Sequence, residues 1–309
     1  MSRRPPAAPG RVVLDRREVL AAALACVAAQ WLAACGDRPA APREGERTVL
    51  DATGATVVLP REVRRIVATV PGLSDTVAAL GLRALLVGVS EKDAAGEGPG
   101  APARIPTWPS ISAERVADLA PDLVLVDRTL SAHDLPGLRA RFRGTFAADS
   151  SSLNGLARTF ERLGEALGRR EAAADLVAEL ARARREVHVL KRPRVLLLSW
   201  ADPVMALGPG SLLNDMVESI GAENVAKGLG RPSGEIPAER VREMAPDWIL
   251  LTGGTFPERL RRDWAAVPAV RDGHVVDASA DDLVRAGPGT AKALARLASL
   301  LTPSGAIPR

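Results

Sequence analysis

Ser151-Ser-Leu-Asn-Gly-Leu-Ala-Arg-Thr-Phe-Glu-Arg-Leu-Gly-Glu-Ala-Leu167, continued beyond Gly168 by Glu171 to Lys191, is the stretch that decides the fold. In its first part Leu153, Leu156, Phe160, Leu163 and Leu167 recur at helical spacing. Ser151 or Ser152 supplies the N-cap, and Glu165 with Arg169 makes a favourable i,i+4 pair. In the second part Ala173, Leu176, Val177, Leu180, Ala183, Val187 and Leu190 share one face. Lys191 and Arg192 suit a helix C-terminus, and Pro193 stops it. Glu171 to Lys191 is 21 residues, or about 30 Å of helix. A helix as long as a small domain is wide acts as a stiff strut, so residues 151–192 are expected to join two lobes.

The flanks of this strut repeat one another. Ile111-Ser-Ala-Glu-Arg-Val-Ala-Asp-Leu-Ala-Pro-Asp-Leu-Val-Leu-Val126 matches Ile236-Pro-Ala-Glu-Arg-Val-Arg-Glu-Met-Ala-Pro-Asp-Trp-Ile-Leu-Leu251 at nine of sixteen positions, 125 residues apart. Each unit reads as a short helix, a Pro-Asp stop and a buried strand. A weaker echo pairs Ser74–Gly81 with Asn214–Gly221. Such a period is too long for a solenoid and indicates a duplicated lobe. Before the strut, Thr48–Leu59 reads as a hairpin, Arg65–Val70 and Leu85–Val89 as strands, and Asp75–Leu80 as a helix capped by Ser74. After it come strands Arg194–Ser199, Asp247–Thr252 and His274–Ala278, with helices Leu212–Ile220, Ala238–Met244 and Thr290–Leu301. The expected fold is α/β: two lobes with parallel-type sheets, residues 48–150 and 193–309, bridged by one long helix, with a ligand cleft between them.

The first 35 residues read as an export signal. Arg16-Arg17-Glu-Val-Leu20 resembles a twin-arginine motif, so export by that route or the general secretory one stays open. The apolar run Val19–Ala34 has 16 residues, short of the roughly 20 a membrane span needs. It ends in Leu32-Ala-Ala-Cys35-Gly36, which resembles a bacterial lipobox and makes Cys35 the expected lipidated N-terminus. Residues 36–47, with Pro39 and Pro42, form a tether. Of the net charge of +4, the first 35 residues carry +3, and the remainder is not the balance of a nucleic-acid-binding protein.

With these pieces in place the chain resembles the periplasmic binding proteins that receive ferric siderophores, haem and cobalamin for ABC importers, over about residues 47–303. Four segments carry the resemblance: Arg65–Pro71 with the helix after it; the two Ala-Glu-Arg…Ala-Pro-Asp units; Gly208-Pro-Gly-Ser-Leu-Leu-Asn-Asp215 through Val225; and Trp264-Ala-Ala-Val-Pro268 through Val276. The resemblance implies ligand held between two α/β lobes, one glutamate per lobe, Glu114 and Glu239, docking on permease arginines, and no resident cofactor. Ligand contacts are expected at the carboxyl ends of the strands. The candidates there are Pro71, Gly72, Trp108 and Trp200 for stacking or packing, and Arg128, Arg231 and Arg285 for carboxylates or catecholates. The second-lobe counterpart of Trp108 is Ser233, so a symmetric aromatic clamp is not expected.

Other classes leave weaker marks. There are three histidines and no tyrosine, so a tyrosinate haem ligand is excluded and only His133 falls in a cleft loop as a possible axial ligand. No phosphate-binding Gly-x-x-x-x-Gly-Lys and no Gly-x-Ser-x-Gly is present. A chelatase-like enzyme acting on tetrapyrroles and a ligand-sensing lipoprotein remain the alternatives to a transport receptor.

Overall fold

The computed structural model describes residues 42–94, 98, 100–278 and 282–302. The expected signal peptide and lipidated Cys35, with half of the expected tether, lie outside these residues. Pro42–Arg309 forms one compact unit.

The chain enters through an antiparallel hairpin, β1 (Glu46–Leu50) and β2 (Thr56–Pro60). Then β3 (Ile66–Ala68), β4 (Leu86–Ser90), β5 (Ala103–Ile105), β6 (Leu123–Asp127) and β7 (Thr145–Ala148) build an all-parallel sheet in the order β5-β4-β3-β6-β7. Every residue of β3, β6 and β7 is buried, as a parallel sheet covered on both faces requires. The covering helices are α1 (Pro71–Ala79), α2 (Ala113–Asp118) and α3 (Leu135–Arg141). α1 begins earlier than expected. Val70 is its N-cap residue, and Ser74 lies inside the first turn, donating to the Pro71 carbonyl and to Asp93.

α4 (Leu153–Ala166) and α5 (Arg170–Glu186) follow. Of the two possible caps it is Ser152 that accepts from the Gly155 amide, at 3.0 Å. The expected Glu165–Arg169 pair does not form, because Gly168 (φ 66°) turns the chain there; Glu165 pairs instead with Arg162 and Arg170 at 3.2 and 3.0 Å. α5 has 17 residues rather than the expected 21. It ends where Val187 becomes extended (φ −95°, ψ 113°) and the Val189 amide donates to the Ile220 carbonyl. Arg184 and Arg185, not Lys191 and Arg192, occupy its last turn. The bridge is made by both helices. Leu153, Leu156 and Phe160 of α4 and Leu180 of α5 pack in the second lobe's core, while Leu163, Ala166 and Ala173 pack in the first. Leu176 touches both.

The second sheet contains β8 (Arg194–Trp200), β9 (Met205–Leu207), β10 (Glu223–Asn224), β11 (Ser233–Glu235), β12 (Trp248–Leu251) and β13 (Val275–Asp277). Its centre, β8-β12-β13, is parallel, but β9 and β11 add antiparallel strands at one edge, so this sheet is mixed. Around it lie α6 (Leu212–Ser219), α7 (Ala238–Met244), α8 (Glu258–Asp263), α9 (Pro268–Arg271) and α10 (Thr290–Leu300).

The sequence repeat is also a repeat of hydrogen bonds. Ala120 and Ala245 both take φ 41°, an uncommon conformation for alanine, just before their Pro-Asp. The Asp122 carboxylate accepts the amides of Arg64 and Arg65 at 2.7 and 2.9 Å, and Asp247 accepts that of Arg194 at 2.9 Å. The Arg65 side chain donates to the Leu119 carbonyl and the Arg194 side chain to that of Met244. In each lobe, then, the Pro-Asp stop ties the end of one helix to the first strand of the sheet.

A second inter-lobe seam is formed of backbone. A β-carbon at Gly72 would overlap the Ala286 carbonyl, and one at Gly287 would come within 2.9 Å of the Gly72 carbonyl. Asp75 and Arg285 close the same seam with a 3.2 Å ion pair. Gly72→Val is expected to lower stability by about 1–3 kcal/mol, since neither backbone has a rotamer through which to yield. A thermal melt checks this, and a variant that melts with the parent would mean the seam is loose.

Candidate functional site

Parallel strands present their carboxyl ends at one edge of the sheet, and the loops there carry the most unusual surface of the molecule. Among the described residues six large hydrophobic side chains are exposed. Four of them lie in these loops: Trp108 after β5 (75 % exposed), Leu130 after β6 (72 %), Trp200 at the end of β8 (50 %) and Val284 after β13 (45 %). Two come from each lobe. Exposed apolar groups gathered at strand ends mark a binding surface more than a packing defect. The Trp108 ring has the Lys92 ammonium 5.8 Å from its centroid. The Trp200 ring lies over Gly253 and Gly254, where side chains would crowd it, and its indole N–H donates to the Asp202 carbonyl at 2.9 Å. Both rings are held, yet keep open surface.

A cavity of about 530 Å³ joins the lobes at this level, within the size range of small-molecule sites. The first lobe lines it with Thr53, Arg128, Thr129, Leu135, Arg139 and Ser151, the second with Gly210 and Pro232. Its polar character is cationic, because the balancing carboxylates lie behind the arginines. Arg139 donates to buried Asp51 at 2.6 Å. Arg128 lies 3.5 Å from buried Asp149, which also holds Arg158 at 2.9 Å. Burial pushes the Asp149 carboxyl up. Hydrogen bonds from Ser151, the charge of Arg128 and the hydrogen bond from Arg158 outweigh it and hold the group below the ordinary aspartate range. Asp149 therefore stays ionised and fixes the Arg128 guanidinium at the cavity wall.

Of the expected ligand residues, Arg128 alone lines this cavity. Trp108 and Trp200 stand on the exposed rim. Arg231 is exposed and its guanidinium folds over Gly234 of β11. Pro71 and Gly72 begin α1, with Gly72 buried against Ala286, and half-buried Arg285 is paired with Asp75 at the same seam. His133 is exposed, and among the described residues no group of His, Cys, Asp and Glu could hold a metal ion. Arg139 escaped the sequence reading because the helix carrying it did; Asp134-Leu-Pro136, an acidic residue with proline close behind, was the available start signal. Thr53 was hidden in the hairpin turn.

Glu114 and Glu239 occupy equivalent places in the first turns of α2 and α7, and both are exposed. Ser112 caps α2, accepting from Arg115, and Pro237 precedes α7. Glu114 pairs with Arg141 at 3.0 Å. Its own backbone amide, then the hydrogen bond and charge of Arg141, hold its carboxyl below the ordinary glutamate range. Glu239 has no ion-pair partner among the described residues.

The model of the periplasmic binding protein family matches residues 66–281. The chain is 26% identical to an uncharacterized ABC transporter substrate-binding lipoprotein, YvrC of Bacillus subtilis, over 302 residues covering 90% of this chain and 95% of that one. Among solved structures it resembles the periplasmic heme-binding protein RhuT of Roseiflexus sp. RS-1, with a TM-score of 0.64 and 25% identity, over 77% of this chain and 98% of that one. It also resembles the periplasmic vitamin B12 binding protein BtuF of Vibrio cholerae, with a TM-score of 0.63 and 22% identity, over 77% and 96% of the two chains.

Proposed function

We propose that this chain, which belongs to the periplasmic binding protein family, captures a bulky, partly apolar and anionic ligand of the iron-siderophore, haem or cobalamin class and delivers it to an ABC importer permease. It is a substrate-binding protein of an ABC transporter. The observation that carries the ligand class is the open apolar rim, Trp108, Leu130, Trp200 and Val284, at the carboxyl ends of strands from both lobes. An ordinary sugar or amino acid would leave such a rim wet, whereas a macrocycle or planar chelate covers it. The cationic wall of Arg128 and Arg139, in a cavity lined by the loop that also carries Leu130, suits carboxylate or catecholate substituents. We assign no turnover, no resident cofactor and no nucleic-acid partner. The protein is held at the extracytoplasmic face of the membrane through acylated Cys35, as the name of its Bacillus relative also suggests.

The test is titration with haem, ferric siderophores and cobalamin, followed by tryptophan fluorescence and visible absorption. Saturable binding of one class without chemical change supports the reading; product formation points to an enzyme, and no binding of any class overturns the ligand assignment. A stacked aromatic contributes about 0.5–1.5 kcal/mol beyond buried area. Trp108→Ala is therefore expected to weaken binding about tenfold. Unchanged affinity in a folded variant removes Trp108 from the site.

A further inference from the structure

One exposed hydrophobic side chain lies far from the rim just described. Leu190 is 68 % exposed and sits in Val187-His-Val-Leu-Lys-Arg-Pro193, the segment between α5 and β8. The alternation of the chain explains it. Val187 and Val189 turn inward against the second lobe's core, and the Val189 amide fixes the strand-like segment to the Ile220 carbonyl at 2.9 Å. His188 and Leu190 must then point outward. The surroundings of Leu190 are strongly basic. Arg182, Arg184, Arg185, Lys191, Arg192 and Arg194 fall within thirteen residues that contain one acid, Glu186. All six are exposed. Arg184 and Arg194 have uncharged partners, the Asn154 side chain and the Met244 carbonyl. Arg182, Arg185, Lys191 and Arg192 form no ion pair, although fifteen salt bridges are present among the described residues.

We infer that this segment is a membrane-contact surface that takes anionic phospholipid headgroups, with Leu190 entering the interface. An outward apolar side chain flanked along the chain by an excess of cations, offset only in part by Glu223 in the field of Arg192 and Arg194, is the composition of an interfacial lipid contact, since headgroup phosphates meet the cations while the apolar group reaches the acyl boundary. An acidic protein would meet the charges but has no need of an isolated outward leucine. The segment leads into the amino end of β8, at the edge of its sheet opposite the ligand rim. The inference rests on the membrane-held reading above: the acyl chain keeps the protein near lipid, and this surface touches the bilayer while the protein is undocked from the permease.

The test uses the chain from Pro42, which contains every element described and no Cys35, so that its outcome is independent of acylation. Sedimentation with phosphatidylcholine vesicles is compared with vesicles containing phosphatidylglycerol. Binding at least tenfold stronger to the anionic vesicles is expected, and equal binding overturns the inference. Each cation near an anionic surface is worth about fivefold in partitioning, so R185A/K191A/R192A should lose tenfold or more, and no loss also overturns it. Leu190→Ser, at unchanged charge, should weaken vesicle binding several-fold without weakening binding to polyglutamate; no change on vesicles assigns the patch to an acidic protein and not to lipid. Failure of acylation would show separately, as no incorporation of labelled fatty acid into the full-length protein.

Discussion

Asp51→Ala should destabilise the protein by about 3 kcal/mol, the lower end for removing one partner of a buried ion pair, because Arg139 is itself partly exposed. Asp51 is 1 % exposed and nearly all its acceptor capacity is used. One carboxylate oxygen takes the Thr53 amide at 2.8 Å, the Thr53 hydroxyl at 2.7 Å and the Ala55 amide at 3.0 Å. The other takes Arg139 at 2.6 Å and the Ala147 amide at 3.2 Å. A single side chain thus closes the hairpin turn, ties it to β7 and aims an arginine at the inter-lobe cavity. For a chain of this size each kcal/mol moves the melting temperature by about 2–4 °C, so a fall of roughly 6–12 °C is expected. Asp51→Asn keeps one acceptor oxygen and loses the charge, so it should fall between the parent and the alanine variant. An alanine variant melting within a degree or two of the parent would show that the hairpin is an appendage. If it folds, it should also bind an anionic chelate more weakly, since Arg139 loses its anchor.

The same residue shows where sequence reading stops. Thr48–Leu59 is legible as a hairpin because its apolar alternation is local. That Asp51 reaches Arg139, 88 positions away, is not local and leaves no trace in either segment. The duplicated Ala-Glu-Arg-Val…Ala-Pro-Asp units predicted the two lobes because each fixes a helix, a stop and a strand within sixteen residues. The elements that escaped, β5, α3, β7, β9, β10, β11, α8 and α9, are mostly short, and tertiary contacts rather than periodicity define them. The end of α5 was misplaced because Val187 and Leu190 continue its apolar spacing, whereas pairing of Val189 with Ile220 straightens the chain. Trp108 and Trp200 were readable as large apolar groups in strand-end loops, and both are exposed there. The roles of Gly72 and Arg285 were not, because glycine and arginine suit a ligand pocket and an inter-lobe seam equally well, and only the approach of the Ala286 carbonyl and of Asp75 separates the two.

Glu114→Ala, Glu239→Ala should nearly abolish uptake in vesicles carrying the cognate permease while leaving ligand affinity within twofold of the parent. The two carboxylates stand in the first turns of equivalent helices, one per lobe, exposed and outside the residues that line the cavity. The helix pair α4 and α5 and the Gly72–Ala286 seam hold the lobes together, so the separation of the carboxylates is set by the fold and can match two fixed basic patches on a permease. Exposed ion pairs contribute only about 0–1 kcal/mol, but charge pairs desolvated in an interface couple by about 1.5–7 kcal/mol. The two sites are not equal. Arg141 already holds Glu114 at 3.0 Å and must be shared or displaced on docking, whereas Glu239 carries no such partner among the described residues. Glu239→Ala should therefore cost more than Glu114→Ala, and Arg141→Ala should strengthen docking if Arg141 competes with the permease. Folding should change little in all of them, because a first-turn glutamate gives about 0.3–1 kcal/mol with the helix dipole. Normal uptake by the double variant would leave the pair as helix-end electrostatics. Lost uptake with equally lost ligand affinity would place the two glutamates in the binding site instead.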